Sequence, residues 1–257
     1  MAISTYNEVS FFKNLVRREY HRWFSGHLQR DMELLVFGNS GQPLLLFPTR
    51  TARFYDYENW GVIEALSEKI ERGELQVFCI DSVDTSSLYC KTIAPAMRIK
   101  RHFDFEKYVL QEVIPFIRQH NCEYLITIAG CSLGAFHAIN MALRFPFHFK
   151  KVLGLSGRYD LTLQLEFFND LFEGYRNEDI LANTPTVYAP KIKSQQLIRL
   201  LQKLEIILAI GVEDVFLQNN IALSNCLTEK KIFNTLYFWD GEAHKAKYWG
   251  EMLQKYL

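Results

Sequence analysis

The sequence predicts an α/β fold with a mostly parallel central sheet flanked by helices. Short apolar or β-branched runs alternate along the chain with helical patterns, which is the order that successive β-α-β units produce. Several of these runs are almost continuously apolar, as expected for strands that are covered on both faces. No repeat and no Gly/Ser-rich or Pro-rich linker divides residues 1–257, so we expect a single domain.

Eight runs of six to eight residues are predicted strands. The first two follow each other closely enough to form an antiparallel pair at the edge of the sheet, whereas helical stretches separate most of the later ones. In chain order the predicted strands are Tyr20–Ser25, Met32–Gly38, Pro43–Pro48, Leu75–Asp81, Tyr124–Ala129, Lys151–Ser156, Leu204–Gly211 and Asn234–Trp239.

Five stretches between or after the strands carry helical patterns. Arg118 and Lys230 lie near the ends of two of them, where a cation favours the negative pole of the helix dipole. The predicted helices are Asn59–Arg72, Phe103–Arg118, Leu133–Arg144, Val215–Lys230 and Lys245–Tyr256.

Residues 158–203 break the alternation, because about 45 residues pass before the next strand. A structureless loop of that length is unusual in a compact domain, so we expect a helical cap insertion. Ligands bind at the carboxyl ends of the strands in an α/β sheet, and a cap there would cover the site. The segment is rich in aromatic residues, namely Phe167, Phe168, Phe172, Tyr175 and Tyr188.

The charge balance excludes functions that depend on a basic surface. Lys and Arg number 29 and Asp and Glu also number 29, so no excess exists to bind nucleic acid or an anionic membrane. Hydrophobic residues make up 49% and charged residues 23%, which excludes disordered and fibrous proteins. Near-zero net charge does little to prevent self-association, so a homo-oligomer stays open.

Three features bear on the compartment. Residues 1–8 lack a basic region followed by an apolar one, so we expect no signal peptide. Tyr124–Leu143 contains no charged residue over twenty positions, but a strand, a glycine turn and a helix fit it better than a membrane span. The cysteines are odd in number and form no CxxC pair, which predicts buried free thiols in the cytoplasm and no zinc site: Cys79, Cys90, Cys122, Cys131 and Cys226.

The most specific motif is Gly130-Cys-Ser-Leu-Gly134, a G-x-S-x-G between a predicted strand and a predicted helix. Given the glycine and serine content, the pattern arises by chance only about 0.03 times in such a chain. A serine on this tight turn is held in a strained backbone region with its hydroxyl above the sheet, and the flanking glycines leave room for the turn. We predict Ser132 as a nucleophile and interpret Cys131 as a packing residue.

A serine hydroxyl needs a base, and three histidines follow Ser132. His137 lies too far along the predicted helix to reach back, so we interpret it as a packing or surface residue. His148 follows that helix and is interpreted as a solvated loop residue. His244 follows the last predicted strand and precedes the last helix, which is where the base must stand. We therefore predict His244 as the base.

The acid is expected after the strand that precedes the last one, Leu204–Gly211. Glu213 and Asp214 lie side by side there. Either carboxylate could orient the imidazole; we favour Asp214. The remaining interpretation is that both only cap the next helix. Asp160, after the strand Lys151–Ser156, is a more distant candidate.

An oxyanion hole requires two N–H donors. The backbone N–H of Leu133, at the start of the predicted helix, is one. The second is expected from the loop after Pro43–Pro48, where we favour Thr49 over Arg50. The glycine-rich HGGG form of this loop is absent from the sequence.

These residues resemble the α/β-hydrolase superfamily, and within it the esterase family that includes esterase D (S-formylglutathione hydrolase) and the antigen 85 mycolyltransferases. The resemblance implies a serine hydrolase or acyltransferase that acts on carboxylic or thioester bonds without a metal or other cofactor. By position it implies Ser132 as nucleophile, Asp214 as acid and His244 as base. The motifs that carry it span nearly the whole chain: Leu44–Thr49, Ile128–Ala135, Leu153–Asp160, Gly211–Asp214, Asp240–His244 and Trp249.

Two departures from that family stand out. The family often has His-Asp-Trp at the base, whereas this chain has His244-Lys-Ala246. The segment that contains Arg50 and Arg53 also differs. These arginines are expected either to be solvated or paired with Asp56 and Glu58, or to meet an anionic group of the substrate.

We predict a serine carboxylic-ester hydrolase that acts through an acyl-enzyme on a small or medium ester or thioester. The aromatic cap would then line an apolar acyl or aryl pocket. One alternative is an acyltransferase that uses the same residues with a bound acceptor. The other is a non-catalytic binding protein on the same fold, since fold does not fix function.

Overall fold

A computed structural model describes residues 16–257 of the chain. The prediction about a signal peptide concerns residues 1–8 and lies outside the described residues. Within residues 16–257, no helix has both the length and the apolar composition needed to cross a bilayer.

In the described part of the chain, eight strands form one sheet in the order β1-β2-β4-β3-β5-β6-β7-β8. The pairs β1–β2 and β2–β4 are antiparallel, and every later pair is parallel. All eight predicted strands and the antiparallel edge pair are confirmed, with ends displaced by no more than two residues. The strands are β1 (Arg18–Ser25), β2 (Arg30–Phe37), β3 (Gln42–Phe47), β4 (Leu75–Ile80), β5 (Ile126–Cys131), β6 (Phe149–Leu155), β7 (Glu205–Gly211) and β8 (Thr235–Trp239).

The sheet separates two hydrophobic cores, which explains the nearly continuous apolar runs of its central strands. Successive residues of a strand point to opposite faces of the sheet. In β3, Leu45 and Phe47 pack into one core, whereas Leu44 and Leu46 pack into the other. A strand that is covered on both faces therefore has no solvent-exposed side that would need polar residues.

Helices cover both faces. Three predicted helices are confirmed with ends displaced by no more than two residues, those at 133–144, 215–230 and 245–256. The helices are α1 (Asp56–Asn59), α2 (Val62–Ala65), α3 (Ser67–Glu71), α4 (Pro95–Tyr108), α5 (Ile114–His120), α6 (Leu133–Arg144), α7 (Glu178–Ala182), α8 (Pro185–Tyr188), α9 (Gln195–Leu201), α10 (Leu217–Glu229) and α11 (Ala246–Tyr256).

Two predicted helices differ from the structure. The stretch predicted as Asn59–Arg72 is divided into short helices, and Gly61 adopts a left-handed φ of 74° at the break between α1 and α2. The stretch predicted from Phe103 begins earlier, at Pro95, where a proline suits the first turn because it has no N–H to leave unpaired. It continues through a π-helical turn at Val109–Val113 into α5.

Within residues 158–203, the second half contains α7, α8 and α9, whereas residues 157–177 form neither helix nor strand. The uncharged stretch 124–143 folds as β5, a tight turn and most of α6, as the sequence indicates.

All five cysteines lie in the described part of the chain and are free thiols. Three of them are buried, but Cys90 is half-buried and Cys122 is exposed. The expectation that all are buried is therefore wrong for these two, because Cys90 lies in a loop after β4 and Cys122 follows the end of α5.

Candidate active site

Ser132 stands on a sharp turn between β5 and α6 with φ of 56°, a left-handed conformation that L-residues rarely adopt. The two glycines make room for this turn. A Cβ on Gly130 would lie 2.2 Å from the carbonyl of Gly134, and a Cβ on Gly134 would lie 2.4 Å from the carbonyl oxygen of Phe47. Both positions are thus restricted to glycine by contacts with backbone atoms that cannot move aside.

The close approach of Gly134 to Phe47 also brings the end of β3 against the start of α6. The buried Tyr57 hydroxyl donates to the Phe47 carbonyl at 2.7 Å and holds the strand end in place. As a result, the loop that begins at Thr49 lies beside Leu133, the first residue of α6. In the part of the chain that the structure describes, neither the Thr49 amide nor the Leu133 amide donates to a protein acceptor. Both N–H groups are available to an oxyanion.

Buried carboxylates fix the rest of this loop. Asp84 accepts from the backbone amide of Thr51 at 3.1 Å, and Asp81 accepts from that of Phe54 at 3.3 Å. Asp84 and Asp81 are both at most 2% exposed. Such charged acceptors make stronger hydrogen bonds than neutral ones, so the loop is held in one conformation before any substrate arrives.

Arg53 takes part in the same network. Its guanidinium pairs with Asp81 at 2.8 Å and with Glu33 at 2.7 Å. Burial raises the pKa of the Asp81 carboxyl, although Arg53 beside it favours the ionised form. The expected pairing of Arg53 with Asp56 or Glu58 is wrong: Asp56 accepts from the Arg53 backbone amide instead, and Glu58 pairs with another arginine. Arg53 is therefore a structural residue of the loop.

His244 and Asp214 form a hydrogen-bonded pair. The His244 Nδ1 lies 2.7 Å from the Asp214 Oδ2, and the Asp214 side chain is fully buried. The other carboxylate oxygen of Asp214 accepts from the amide of Phe216 at 2.9 Å. Since a carboxylate can only accept, Nδ1 carries the hydrogen and the Nε2 lone pair is available as a base. Glu213, the alternative acid, is exposed.

Close contact between two loops brings this pair together. A Cβ on Gly211, at the end of β7, would lie 2.0 Å from the Glu242 carbonyl oxygen. The Glu213 amide donates to the Gly241 carbonyl at 2.9 Å. The His244 ring is flanked by Trp249, with ring centroids 5.6 Å apart, so aromatic packing limits its orientation.

Ser132, Leu133, Thr49, Arg50 and His244 line one cavity of about 330 Å³. Asp214 is buried behind His244 and does not line it. The structure therefore brings together all the residues predicted for the site, although they come from four separate loops. This active-site cavity is lined by Thr49, Arg50, Trp60, Tyr89, Ser132, Leu133, Arg158, Phe168, Phe216, His244 and Trp249.

The two other histidines after Ser132 lie outside this cavity. His137 is buried in α6, with its Nε2 3.5 Å from a carboxylate oxygen of Asp84, so it packs as expected. His148 is not a solvated loop residue, and that interpretation is wrong. It is half-buried, its Nδ1 lies 3.0 Å from the Arg118 guanidinium, and burial together with this cation lowers its pKa to about 4.

Asp160 and Cys131, the two other residues considered near the nucleophile and the acid, lie outside the cavity lining. Asp160 accepts from the amide and the hydroxyl of Thr162, at 2.8 and 2.7 Å, and does not line the cavity. Cys131 is fully buried at the end of β5, where burial raises the pKa of its thiol to about 12.

Sequence reasoning did not assign a role to several residues that line the cavity. Arg158 and Phe216 each lie a few residues after a parallel strand, β6 and β7 respectively. The rule that ligands bind at the carboxyl ends of the strands is the signal that could have identified them. Tyr89 and Trp60 follow β4 and β3 at longer distances, and no local pattern marks them.

The esterase family model, described as "Putative esterase", matches residues 55–253. Comparison with curated proteins found no match. Among solved structures, the chain is similar to a ferulic acid esterase at 16% identity and a TM-score of 0.72, covering 94% of this chain and 96% of that one. It is similar to an S-formylglutathione hydrolase from Agrobacterium tumefaciens at 17% identity and a TM-score of 0.67, covering 93% and 92%.

A third similar structure is FphF, a fluorophosphonate-binding serine hydrolase from Staphylococcus aureus, at 18% identity and a TM-score of 0.65, covering 93% of this chain and 96% of that one. At these identities the likeness is one of fold, and it confirms the α/β-hydrolase fold predicted from the sequence.

Proposed function

Because the chain belongs to the esterase family, and is therefore a serine carboxylic-ester hydrolase, we propose that Ser132, His244 and Asp214 carry its reaction through an acyl-enzyme. The observation that supports this most strongly is their arrangement. The strained Ser132, His244 and the residues of two amides that donate to no acceptor within residues 16–257 line one cavity, and Asp214 holds the Nδ1 side of the imidazole.

The proposed mechanism has two halves. His244 Nε2 takes the proton of the Ser132 hydroxyl, whose oxygen then attacks the ester carbonyl. The developing oxyanion is bound by the amides of Leu133 and Thr49, and Asp214 stabilises the imidazolium. His244 then gives its proton to the leaving alcohol or thiol. In the second half a water, deprotonated by the same histidine, attacks the acyl-enzyme and releases the acid and Ser132.

The walls of the cavity suggest an acyl or aryl group of small or medium size. Five of the eleven lining residues are Phe, Tyr or Trp, and they include two pairs: Trp60 with Trp249, at 6.4 Å between ring centroids, and Phe168 with Phe216, at 4.7 Å. Such walls bind apolar groups, and the few polar groups set the orientation. Phe168 comes from the segment 158–203, which we propose to be a cap insertion that contributes to the site. The acyltransferase alternative has no specific observation in its favour.

A cytoplasmic location is part of the same proposal. It is supported by five cysteines that are all unpaired, since an oxidising compartment favours disulfides. The exposed Cys122 thiol would be the most vulnerable of them there.

The test is hydrolysis of p-nitrophenyl esters from acetate to decanoate by wild type, Ser132→Ala and a matched control, Ser40→Ala, which changes an exposed serine in a turn. We expect turnover in wild type and in the control, and a loss of at least about 10³-fold in Ser132→Ala. The chain length with the highest rate reports the depth of the aromatic cavity.

A fluorophosphonate probe provides the second measurement, because it labels an activated serine whether or not an ester is turned over. We expect labelling at Ser132 and none in Ser132→Ala. Turnover that survives in Ser132→Ala would contradict the proposal, and so would a wild-type protein that neither hydrolyses these esters nor reacts with the probe.

A further inference from the structure

A second cavity of about 240 Å³ adjoins the active-site cavity. The two share four lining residues, Arg50, Tyr89, Arg158 and Phe168. We name this second cavity the side chamber. A group bound in the side chamber can therefore be part of the same substrate molecule whose ester bond lies at Ser132. The remaining walls of the side chamber are Leu88, Lys91, Arg98, Phe167, Asn169, Asp170, Leu171 and Glu173.

Both carboxylates of the side chamber already have a cationic partner. Asp170 pairs with Arg176 at 2.8 Å, and Glu173 pairs with Arg98 at 3.0 Å. Asp170 also accepts from the backbone amide of Phe172, and these contacts outweigh burial and lower the pKa of its carboxyl. Asp170 also acts on Arg158, but from beyond 4.0 Å.

Arg158 is the group that most needs a counter-ion. It is 3% exposed, yet no carboxylate lies within 4.0 Å of its guanidinium among residues 16–257. Its Nε and Nη2 donate only to backbone carbonyls, among them those of Leu163 at 2.8 Å and Asn169 at 2.7 Å. Burial lowers the pKa of Arg158, which is the effect of removing a cation from water, although Tyr89, Asp160 and Asp170 act in the opposite direction. Burying a charge is costly without a partner charge, and carbonyl dipoles offset that cost only in part.

Two more cations on the walls lack a carboxylate partner in the described part of the chain. Arg50 and Lys91 are exposed at the opening and make no ion pair there. Arg50 extends over the Tyr89 ring, with its guanidinium carbon 5.9 Å from the ring centroid. With Arg98 paired with Glu173, three cations and no unpaired carboxylate remain among the residues that line the side chamber.

From this arrangement we propose that the side chamber binds a carboxylate of the substrate, so that the enzyme prefers esters carrying a negative charge over neutral esters of the same size. This rests on the proposed function, because the charge preference is read through hydrolysis at Ser132. A carboxylate can accept from the Nη1 of Arg158, the one guanidinium nitrogen that donates to no carbonyl within residues 16–257, and it can accept two parallel hydrogen bonds from the exposed guanidinium of Arg50. It would also give Arg158 a carboxylate at contact distance, which no carboxylate of residues 16–257 provides.

The preference is measured with matched pairs of substrates. Mono-p-nitrophenyl adipate carries a carboxylate on the acyl part, and p-nitrophenyl hexanoate is its neutral match. 4-Acetoxybenzoate carries a carboxylate on the alcohol part, and 4-methylphenyl acetate is its neutral match. Each kcat/KM is divided by the uncatalysed rate of the same ester. In at least one pair, we expect this normalised kcat/KM to be about 10- to 100-fold higher for the anionic ester than for its neutral match. That is the range for a hydrogen bond to a charged group.

The variant Arg50→Gln tests the cause. It removes a side-chain charge at the opening and leaves the backbone unchanged, and we expect the anionic-to-neutral ratio to fall by about tenfold. Arg199→Gln is the matched control, since Arg199 is exposed on α9, outside both cavities, and the change in net charge is the same. Its ratio should equal that of wild type. Arg158→Lys, which keeps the charge but loses the planar fork, should retain only part of the preference.

The outcomes separate this inference from the proposed function. If neutral esters are hydrolysed through Ser132 at least as well as both anionic esters, the side chamber does not select a carboxylate and the inference is overturned, while the esterase mechanism stands. An equal fall of the ratio in Arg50→Gln and Arg199→Gln would also overturn it, because net charge alone would then explain the preference. If no ester of either kind is turned over and Ser132 is not labelled, both proposals fail.

Discussion

At the residue scale, the position of one carboxylate decides how His244 is held. Asp214 is buried and lies 2.7 Å from the imidazole, whereas its neighbour Glu213 is exposed. The turn after β7 thus buries one of two adjacent carboxylates and leaves the other in solvent. Sequence alone favoured Asp214 without excluding Glu213, because both are acids at the same end of the same strand.

This difference predicts unequal effects of two matched substitutions. Asp214→Asn keeps the size of the side chain but lets the amide donate to Nδ1, which favours the wrong tautomer of His244. We expect kcat to fall by about 10⁴-fold, the loss found for this change in a serine-histidine-aspartate site. Glu213→Gln is the control and should change kcat by less than about twofold, as surface substitutions usually do. Steady-state kinetics with a p-nitrophenyl ester checks both, and equal losses would contradict the assignment of the acid.

Other residue-scale expectations were wrong for a common reason. Arg53 pairs with Asp81 and Glu33, which lie 28 and 20 positions away from it in sequence. His148 is held by Arg118, which lies 30 positions away. A local pattern can show that a charged residue follows a strand or a helix, but partners this distant become neighbours only through the pairing of strands and the packing of helices.

At the element scale, Gly134 sets how closely β3 approaches α6. Gly134→Ala would place a Cβ 2.4 Å from the Phe47 carbonyl oxygen, so the strand end and the helix must separate. We expect the unfolding free energy to fall by about 1–3 kcal/mol. The esterase activity should fall by more than the smaller fraction of folded protein explains, because Thr49 moves away from Leu133.

Thermal unfolding and esterase activity, measured on the same preparation, check this prediction. Gly26→Ala is the control, since a Cβ there meets nothing within 4 Å. It should leave both the Tm and kcat unchanged. A Gly134→Ala protein with wild-type activity would show that the spacing of these two elements does not determine the site.

Helix boundaries were predictable where the apolar pattern was strong and uninterrupted. The residues of α6 are almost all buried, and its predicted and observed ends coincide. The stretch after β3 carried a helical pattern too, but the left-handed Gly61 divides it. A glycine in a helical pattern is tolerated or breaks the helix according to its tertiary contacts, so the pattern alone could not decide between the two.

At the scale of the whole molecule, pH acts on stability through buried and half-buried groups such as His148. Its pKa is lowered from 6.5 to about 4 by burial and by Arg118. Between these two values the unfolded chain binds a proton that the folded protein does not bind. The free energy of unfolding therefore falls as the pH decreases from about 6.5 to about 4, and above that window His148 has no effect.

His148→Gln should reduce this acid sensitivity. Between pH 7 and pH 4.5 we expect the variant to lose about 1–2 kcal/mol less stability than wild type, a value kept small because water screens the half-exposed ring. Urea unfolding at the two pH values checks it. Parallel losses in the two proteins would show that the histidine titrates normally in the folded state.

The sequence by itself determined where the strands lie along the chain, that the sheet is covered on both faces, and the turn that presents Ser132. These follow from local causes: apolar runs that need cover on both faces, and two glycines where a Cβ would meet backbone. Only the tertiary structure decided which carboxylate reaches His244, which arginines are paired, and that Arg158 lies beside the site with no carboxylate of residues 16–257 within 4.0 Å. Contacts of this kind join residues far apart in sequence, and their geometry is set when the loops at the carboxyl ends of the strands pack against one another.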